Sequence, residues 1–260
     1  MSLTYNSYLK VDELLELQVL KSNPPEHDEM LFIIIHQTYE LWFKQVLHEL
    51  DHFRGHLDNG QTWAAMKTMR RILTILKTLV SQVDILETMT PLEFNQFRKF
   101  LENSSGFQSV QFREVEMLCG MRSPHMLLIH PEGSEYRQRL ESRAEQPTLW
   151  ESFCSMLKRA GFDLEVPQRA HERGLVYDPS EHNQEVLAKD VIKNPELMML
   201  MELLVDFDEG LQEWRYRHVK MVERTIGTRK GTGGSDGVEY LKRTLHQHVF
   251  PDLWAIRSRF

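Results

Sequence analysis

The pairing in this chain most able to do chemistry is a histidine inside a helical pattern, followed at once by a glycine-rich loop. The block reads Trp214-Arg-Tyr-Arg-His218-Val-Lys-Met-Val-Glu-Arg-Thr-Ile-Gly227 and runs into Thr228-Arg-Lys-Gly231-Thr232-Gly233-Gly234-Ser235-Asp236-Gly237. Glycine has no side chain and accepts positive φ, so such a loop lets backbone come close to a bound molecule. The histidine could hold a metal ion or a haem iron on the wall of the same cavity. By residue type alone, a core histidine followed by a long helix cap reads the same way. A second histidine lies near the N-terminus in Phe32-Ile33-Ile34-Ile35-His36-Gln-Thr-Tyr-Glu40-Leu-Trp42-Phe43-Lys44. Phe32, Ile35 and His36 share a helix face at i, i+3 and i+4. Apolar residues occupy the other faces too, which predicts a helix buried nearly all round. A buried histidine must find partners for its ring nitrogens.

Two further blocks lie between these, Glu87-Thr-Met-Thr-Pro-Leu-Glu-Phe94-Asn-Gln-Phe-Arg98 and Ser104-Ser105-Gly106-Phe107-Gln108-Ser109. Taken in order, the four motifs resemble the tryptophan 2,3-dioxygenase family, and the resemblance runs from about Tyr5 to Phe250. It implies an all-α enzyme that binds haem b, one per subunit, and inserts both atoms of O2 across the indole C2–C3 bond of L-tryptophan. The product would be N-formyl-L-kynurenine, the first step of tryptophan catabolism by the kynurenine route. A relative acting on a substituted tryptophan or another indole in a secondary pathway is the alternative within the family.

The resemblance also implies roles for single residues. His218 would be the proximal iron ligand, with Ser105 and Gly231 beside the cofactor. His36 would accept the indole N–H, which a neutral imidazole can do. Arg98 would grip the substrate carboxylate with a planar fork that lysine lacks. Thr232 would hold the amino-acid end. Phe32, Ile33, Ile34, Ile35, Val83, Phe94, Leu101 and Gly106 would line the pocket. Many relatives carry tyrosine where this chain has Phe94, and some carry a larger aromatic at Val83. Tyr5, Tyr8 and Leu9 would reach into a neighbouring subunit of a homotetramer. Each residue has a plainer reading by type alone: His36 as a core histidine or a second iron ligand, Arg98 as a solvated charge, Thr232 as a loop threonine facing water, and the apolar residues as core.

Other motifs compete. His48-Glu49-Leu50-Asp51-His52 is a literal H-E-x-x-H, the zinc peptidase signature, with two ligands one helical turn apart and a glutamate base. Gly55 fits the extended pattern, but its last position is Asp58 where histidine is wanted. The stretch is rich in charge and reads as a solvated face. The glycine loop lacks the third glycine of the dinucleotide fingerprint and follows a helix, not a strand. It is not a P-loop either, because no Gly-Lys-Ser/Thr follows four residues after a glycine. A helical interaction module without cofactor is the remaining reading from another class.

The elements that must position these residues are helices. A pattern from about His27 to Leu57 ends at Asp58-Asn59-Gly60, a strong breaker. A second follows with Trp63, Met66, Met69, Leu73, Leu76, Val80 and Val83 at helical spacing. Thr90-Pro91-Leu92-Glu93 is a capping box with proline at the first helical position, and it starts a short helix carrying Phe94 and Arg98. The next helix closes at Gly120. From Met121 to Pro195 the pattern weakens into a lobe of small helices on the main bundle. Glu196 to Ile226 forms the last long helix. The expected architecture is one haem-binding domain over residues 1–260, an all-α bundle with the pocket between long helices.

Composition sets the outer bounds. Of 260 residues, 41% are hydrophobic and 27% charged, as in ordinary globular proteins. A formal charge of −7, without a Lys/Arg cluster beyond Arg70-Arg71 and Arg229-Lys230, argues against nucleic acid as a partner. The longest uninterrupted apolar run, Met30 to Ile35, is too short to span a membrane. No secretory signal is visible at the N-terminus. The two cysteines, Cys119 and Cys154, make no disulfide framework, which suits a reducing cytoplasm.

Overall fold

The structure is a computed structural model that describes residues 2–168, 176–229, 231, 238–242 and 244–260. The helices follow the chain as α1 (Tyr5–Leu9), α2 (Val11–Leu15), α3 (His27–Asp58), α4 (Thr62–Leu86), α5 (Pro91–Phe97), α6 (Val110–Leu118), α7 (Pro124–Leu128), α8 (Glu135–Glu145), α9 (Leu149–Arg159), α10 (Glu181–Lys189), α11 (Pro195–Ile226), α12 (Val238–Lys242) and α13 (Pro251–Ala255). No β-strand forms among the described residues, so the fold is all-α.

Three long helices organise the core. Asn59-Gly60 reverses the chain after α3: Gly60 takes φ 66°, and the Gly60 and Gln61 amides donate to the carbonyls of Leu57 and His56. The resulting hairpin lays Val46, Leu50, Phe53 and Leu57 of α3 against Ala65, Met69, Ile72 and Leu79 of α4. α11 starts from Asn194, whose side chain accepts from the Glu196 and Leu197 amides at 3.0 and 3.3 Å, with Pro195 at the first helical position. It packs along α4 through Leu200, Leu204, Phe207 and Leu211. Gly210 permits this close approach, because a Cβ there would lie 3.3 Å from Leu76. α9 adds Trp150, Phe153, Cys154 and Leu157 to the same core, so this part of the 121–195 segment is bound into the bundle by buried aromatic rings.

One expectation needs correction. α3 is not buried all round: Ile34 is 44% and Leu41 54% exposed. α4, α5, α6 and α9 pack on other faces of this helix, and among the described residues that face stays exposed. Trp63, at the start of α4, is 69% exposed.

The C-terminal return is tied to α11 by one buried carboxylate. Asp208 is fully buried, and its Oδ2 accepts from the amides of Val249 and Phe250 at 2.8 and 3.2 Å and from Trp254 Nε1 at 2.9 Å. Gln212, one turn on, donates to Asp208 Oδ1 at 3.0 Å. Hydrogen bonds to an ionised group are the strong ones, and their loss leaves the donors buried and unpaired. Asp208→Ala is therefore expected to cost about 3–5 kcal/mol of stability, read from the denaturant midpoint. A shift within about 0.5 kcal/mol, the usual range for a surface substitution, would show that the return is held by packing alone.

Candidate active site

Between α3 and α11, beside the last turns of α4, lies a cavity with about 1550 Å³ of empty space, part of it continuous with solvent. α3 contributes Phe32, His36, Tyr39, Glu40 and Phe43 to its wall, and α11 contributes Trp214, Arg215, His218, Met221 and Val222. Leu86, Met89 and Phe94 close a third side. The two histidines that stand far apart in sequence thus look into one space.

His218 is built for ligation. Trp214, one turn earlier, stacks on its ring with centroids 5.4 Å apart and planes 12° from parallel. Trp214 is itself wedged against Phe43 and Phe112, with centroids at 5.8 and 4.8 Å, so the stack is fixed by buried aromatics. Burial, reinforced by His36 and then Arg113 nearby, pushes the His218 imidazole down to about 4. The ring is neutral at neutral pH, and among the described residues no group hydrogen-bonds either nitrogen. An uncharged imidazole with a free lone pair in an apolar cavity is the donor a haem iron takes.

The tautomer of His36 follows from one bond. Its Nδ1 lies 2.7 Å from the Phe32 carbonyl oxygen, which can only accept, so Nδ1 carries the proton and Nε2 keeps the lone pair. The Phe32 ring packs over the imidazole at 4.1 Å. The His36 ring is open to the cavity, and desolvation by the protein packed around it lowers its pKa. The Phe32 carbonyl and the Glu40 carboxylate offset part of that shift. The result is a hydrogen-bond acceptor on the cavity wall.

Arg98 reaches the cavity from a 3-10 turn, Arg98–Leu101, that continues α5. The Thr90 capping box sets the start of α5: Thr90 accepts from the Glu93 amide at 3.3 Å, and the Glu93 carboxylate accepts from the Thr90 amide at 2.7 Å. Phe94 and Phe97 dock the helix against Phe32 with ring centroids at 5.8 and 5.4 Å. Ser105 and Gly106 line the cavity next to Phe107, and nothing lies within 4 Å of where a Gly106 Cβ would stand.

Other anticipated residues lie elsewhere. Ile33, Ile34, Ile35, Val83 and Leu101 do not line the cavity: Ile35 and Val83 are buried in core, Leu101 packs beside Phe94 and Phe97, and Ile34 faces out. Tyr5, Tyr8 and Leu9 sit on α1, exposed and away from their own chain's cavity. Gly231 lines the wall, while Thr232 lies outside the described residues.

Four charged residues of the wall escaped notice in the sequence. Glu40 accepts from Gln111 Nε2 at 2.8 Å. Arg113 pairs with Glu116, and Arg215 Nη2 donates to the other Glu116 oxygen at 3.0 Å. All three of this cluster are at most 5% exposed, and two guanidiniums against one carboxylate leave it net positive. The Arg113 Nε is buried without a hydrogen-bond partner among the described residues. A positive, partly unsatisfied patch beside an apolar slot suits a flat macrocycle with anionic side groups, so the residues present fit haem. The available signal was the i, i+3 spacing of Arg113 and Glu116 on a helix buried at every position but one.

The H-E-x-x-H stretch does not form a metal centre. Glu49 is buried, accepting from Arg71 Nη1 at 2.8 Å and Gln45 Nε2 at 2.7 Å, while His48 and His52 are exposed. Among the described residues no cluster of three or more His, Cys, Asp or Glu could hold a metal ion, and no helix is long and apolar enough to cross a membrane. Replacing His48 and His52 together by alanine should leave zinc content at background and move stability by no more than about 0.5 kcal/mol. Stoichiometric zinc that the double variant loses, measured by metal analysis, would contradict this assignment.

The family model for tryptophan 2,3-dioxygenase matches residues 1–160 and 172–260 of the chain. The chain is 53% identical to a tryptophan 2,3-dioxygenase of Herpetosiphon aurantiacus, over 99% of this chain and 98% of the relative. It is 50% identical to one from an Anaeromyxobacter species, over 99% and 96%, and 41% identical to one from Pseudomonas fluorescens, over 99% and 91%. Cavity, histidine pair and full-length similarity agree: the chain belongs to the tryptophan 2,3-dioxygenase family.

Proposed function

We propose that the α3–α11 cavity holds one haem b per subunit on His218, with L-tryptophan lying on the His36 side. The observation that carries this reading is that two histidines from distant helices, each with its pKa lowered by burial, line one largely apolar cavity. The protein is a haem-dependent dioxygenase of L-tryptophan, and bound haem would supply the iron that activates O2. His218 would hold the cofactor, and Arg113, with the net charge of its cluster, would attract its anionic groups. His36 accepts the indole N–H at Nε2 and so sets the ring's orientation. Phe32 and Phe94 hold the indole flat and exclude water. Arg98 takes the carboxylate with its planar fork, and Thr232 would complete the grip on the amino-acid end. The protein's contribution is positioning.

Homotetrameric assembly and a cytoplasmic location belong to the same proposal. The exposed α1 residues Tyr5, Tyr8 and Leu9, and the uncovered α3 face at Ile34 and Leu41, are apolar surfaces that a second copy would bury. The two buried free thiols, Cys119 and Cys154, suit a reducing compartment.

Two substitutions separate the roles. Arg98→Ala should lose about 2–5 kcal/mol of tryptophan binding, the range for one partner of a buried charge pair, with normal haem content. His36→Ala should lower turnover but leave measurable activity, because it removes an orienting acceptor and not an obligatory base. Tryptophan titrations and steady-state rates check both. Unchanged affinity in Arg98→Ala, or complete inactivity of His36→Ala with haem and substrate still bound, would overturn the respective role.

The arm has its own test. Deleting residues 1–10 should weaken tryptophan binding more than haem binding, measured by titration at fixed haem content. A truncated enzyme with unchanged tryptophan affinity would remove the arm from the site.

A further inference from the structure

The chain leaving α11 forms one wall of the cavity through Gly231, Leu241 and Thr244, and its two ends are held very differently. The far end is fixed by buried bonds. Arg215 donates to the Thr244 carbonyl at 3.2 Å while its other nitrogen holds Glu116, and Asp208 grips Val249 and Phe250. The near end leaves α11 at Gly227, which takes φ 60°. Two residues on, Arg229 Nη1 donates to Asn95 Oδ1 at 3.0 Å. Asn95 sits on α5 between Phe94 and the turn that carries Arg98, both of which line the cavity. Neither Arg229 nor Asn95 lines it. Among the described residues, one side-chain hydrogen bond links the chain entering Gly231 to the helix that presents Phe94 and leads to Arg98.

We propose that Arg229 and Asn95 are positioning residues for tryptophan binding: their bond holds the Gly231 wall in register with α5. The proposal rests on the reading of this cavity as the tryptophan site. Its energetic scale is that of one hydrogen bond with a charged donor and an exposed arginine. A hydrogen bond of this kind is worth a several-fold change in affinity, too little to decide folding and enough to tune a binding site. Because the bond lies outside the cavity, its loss should change KM and leave kcat alone.

The test uses the haem-loaded enzyme with Arg229→Ala, Asn95→Ala, the double variant, Arg229→Lys and Asn95→Asp. Each alanine variant should raise the tryptophan KM about three- to ten-fold, the size of one such bond. The dissociation constant from the tryptophan-induced change in haem absorption should rise with it. kcat, haem content and thermal midpoint should stay at wild-type values. The double variant should be no worse than either single one, because both remove the same bond. Arg229→Lys should restore part of the affinity, since lysine still donates one bond. Asn95→Asp should match or exceed wild-type affinity by adding an opposite charge. KM values within two-fold of wild type in both alanine variants would overturn the proposal, as would additive effects in the double variant or a loss confined to kcat or haem content. A wild-type enzyme that shows no tryptophan-induced spectral change and no turnover would instead overturn the reading of the cavity, and the proposal with it.

Discussion

The site depends on α4 acting as a spacer. α3 and α11 each pack along α4, and the backbones of α3 and α11 do not pack on one another in the same way. Alongside the last turns of α4 the gap between the two outer helices becomes the cavity, with Leu86 on its wall and Tyr39 bonded to the Leu79 carbonyl. Tyr39, Phe43, Phe112 and Trp214 plug its inner end, with ring centroids 4.8–6.4 Å from Trp214. The same Trp214 stacks on His218, so the plug that keeps water out also sets the orientation of the proposed iron ligand. Close-packed interiors transmit small displacements, which makes the plug part of the site.

Electrostatics divide the cavity into two regions. Around the histidines the surroundings are apolar, and desolvation keeps both rings uncharged. A few residues away, Arg113, Glu116 and Arg215 form a buried charged cluster that few proteins would carry without a use, given the cost of desolvating ions. Arg215 lies one turn before His218 on α11 and also holds Thr244, so it joins α11, α6 and the returning chain through one guanidinium. A neutral slot beside a positive rim is the complement of haem, whose ring is apolar and whose side groups are anionic.

Much of this was readable in the residues. Asn59-Gly60 and Gly227 end helices by local rules that need no tertiary context, so α3 and α11 have the expected bounds to within about two residues. The Thr90 capping box starts α5 where expected, but α5 stops at Phe97 and Arg98 stands on the 3-10 turn that follows. His36, Arg98, Ser105, Gly106 and His218 lie in short motifs, and all five line the cavity. The Glu116–Arg215 pair between α6 and α11 joins residues about a hundred positions apart and leaves no local pattern, while the i, i+3 spacing of Arg113 and Glu116 was a local signal that does not by itself point to a cavity. Ile33, Ile34 and Ile35 show the opposite limit. An apolar run cannot tell which of its members face a cavity, which face core and which face out, since helical period alone distributes them round the axis. Tyr5, Tyr8 and Leu9 are exposed on α1 and do not reach the cavity, so a role for them cannot be read from their own pattern.

The central claim is that His218 alone holds the haem iron and that the His36 side is left for substrate. Electron paramagnetic resonance of the ferric, haem-loaded protein tests it most directly, because the spin state reports how many strong axial ligands the iron has. The account predicts a high-spin axial signal, with no protein nitrogen bound on the His36 face. A low-spin signal typical of iron between two histidines, persisting when tryptophan is added, would contradict it.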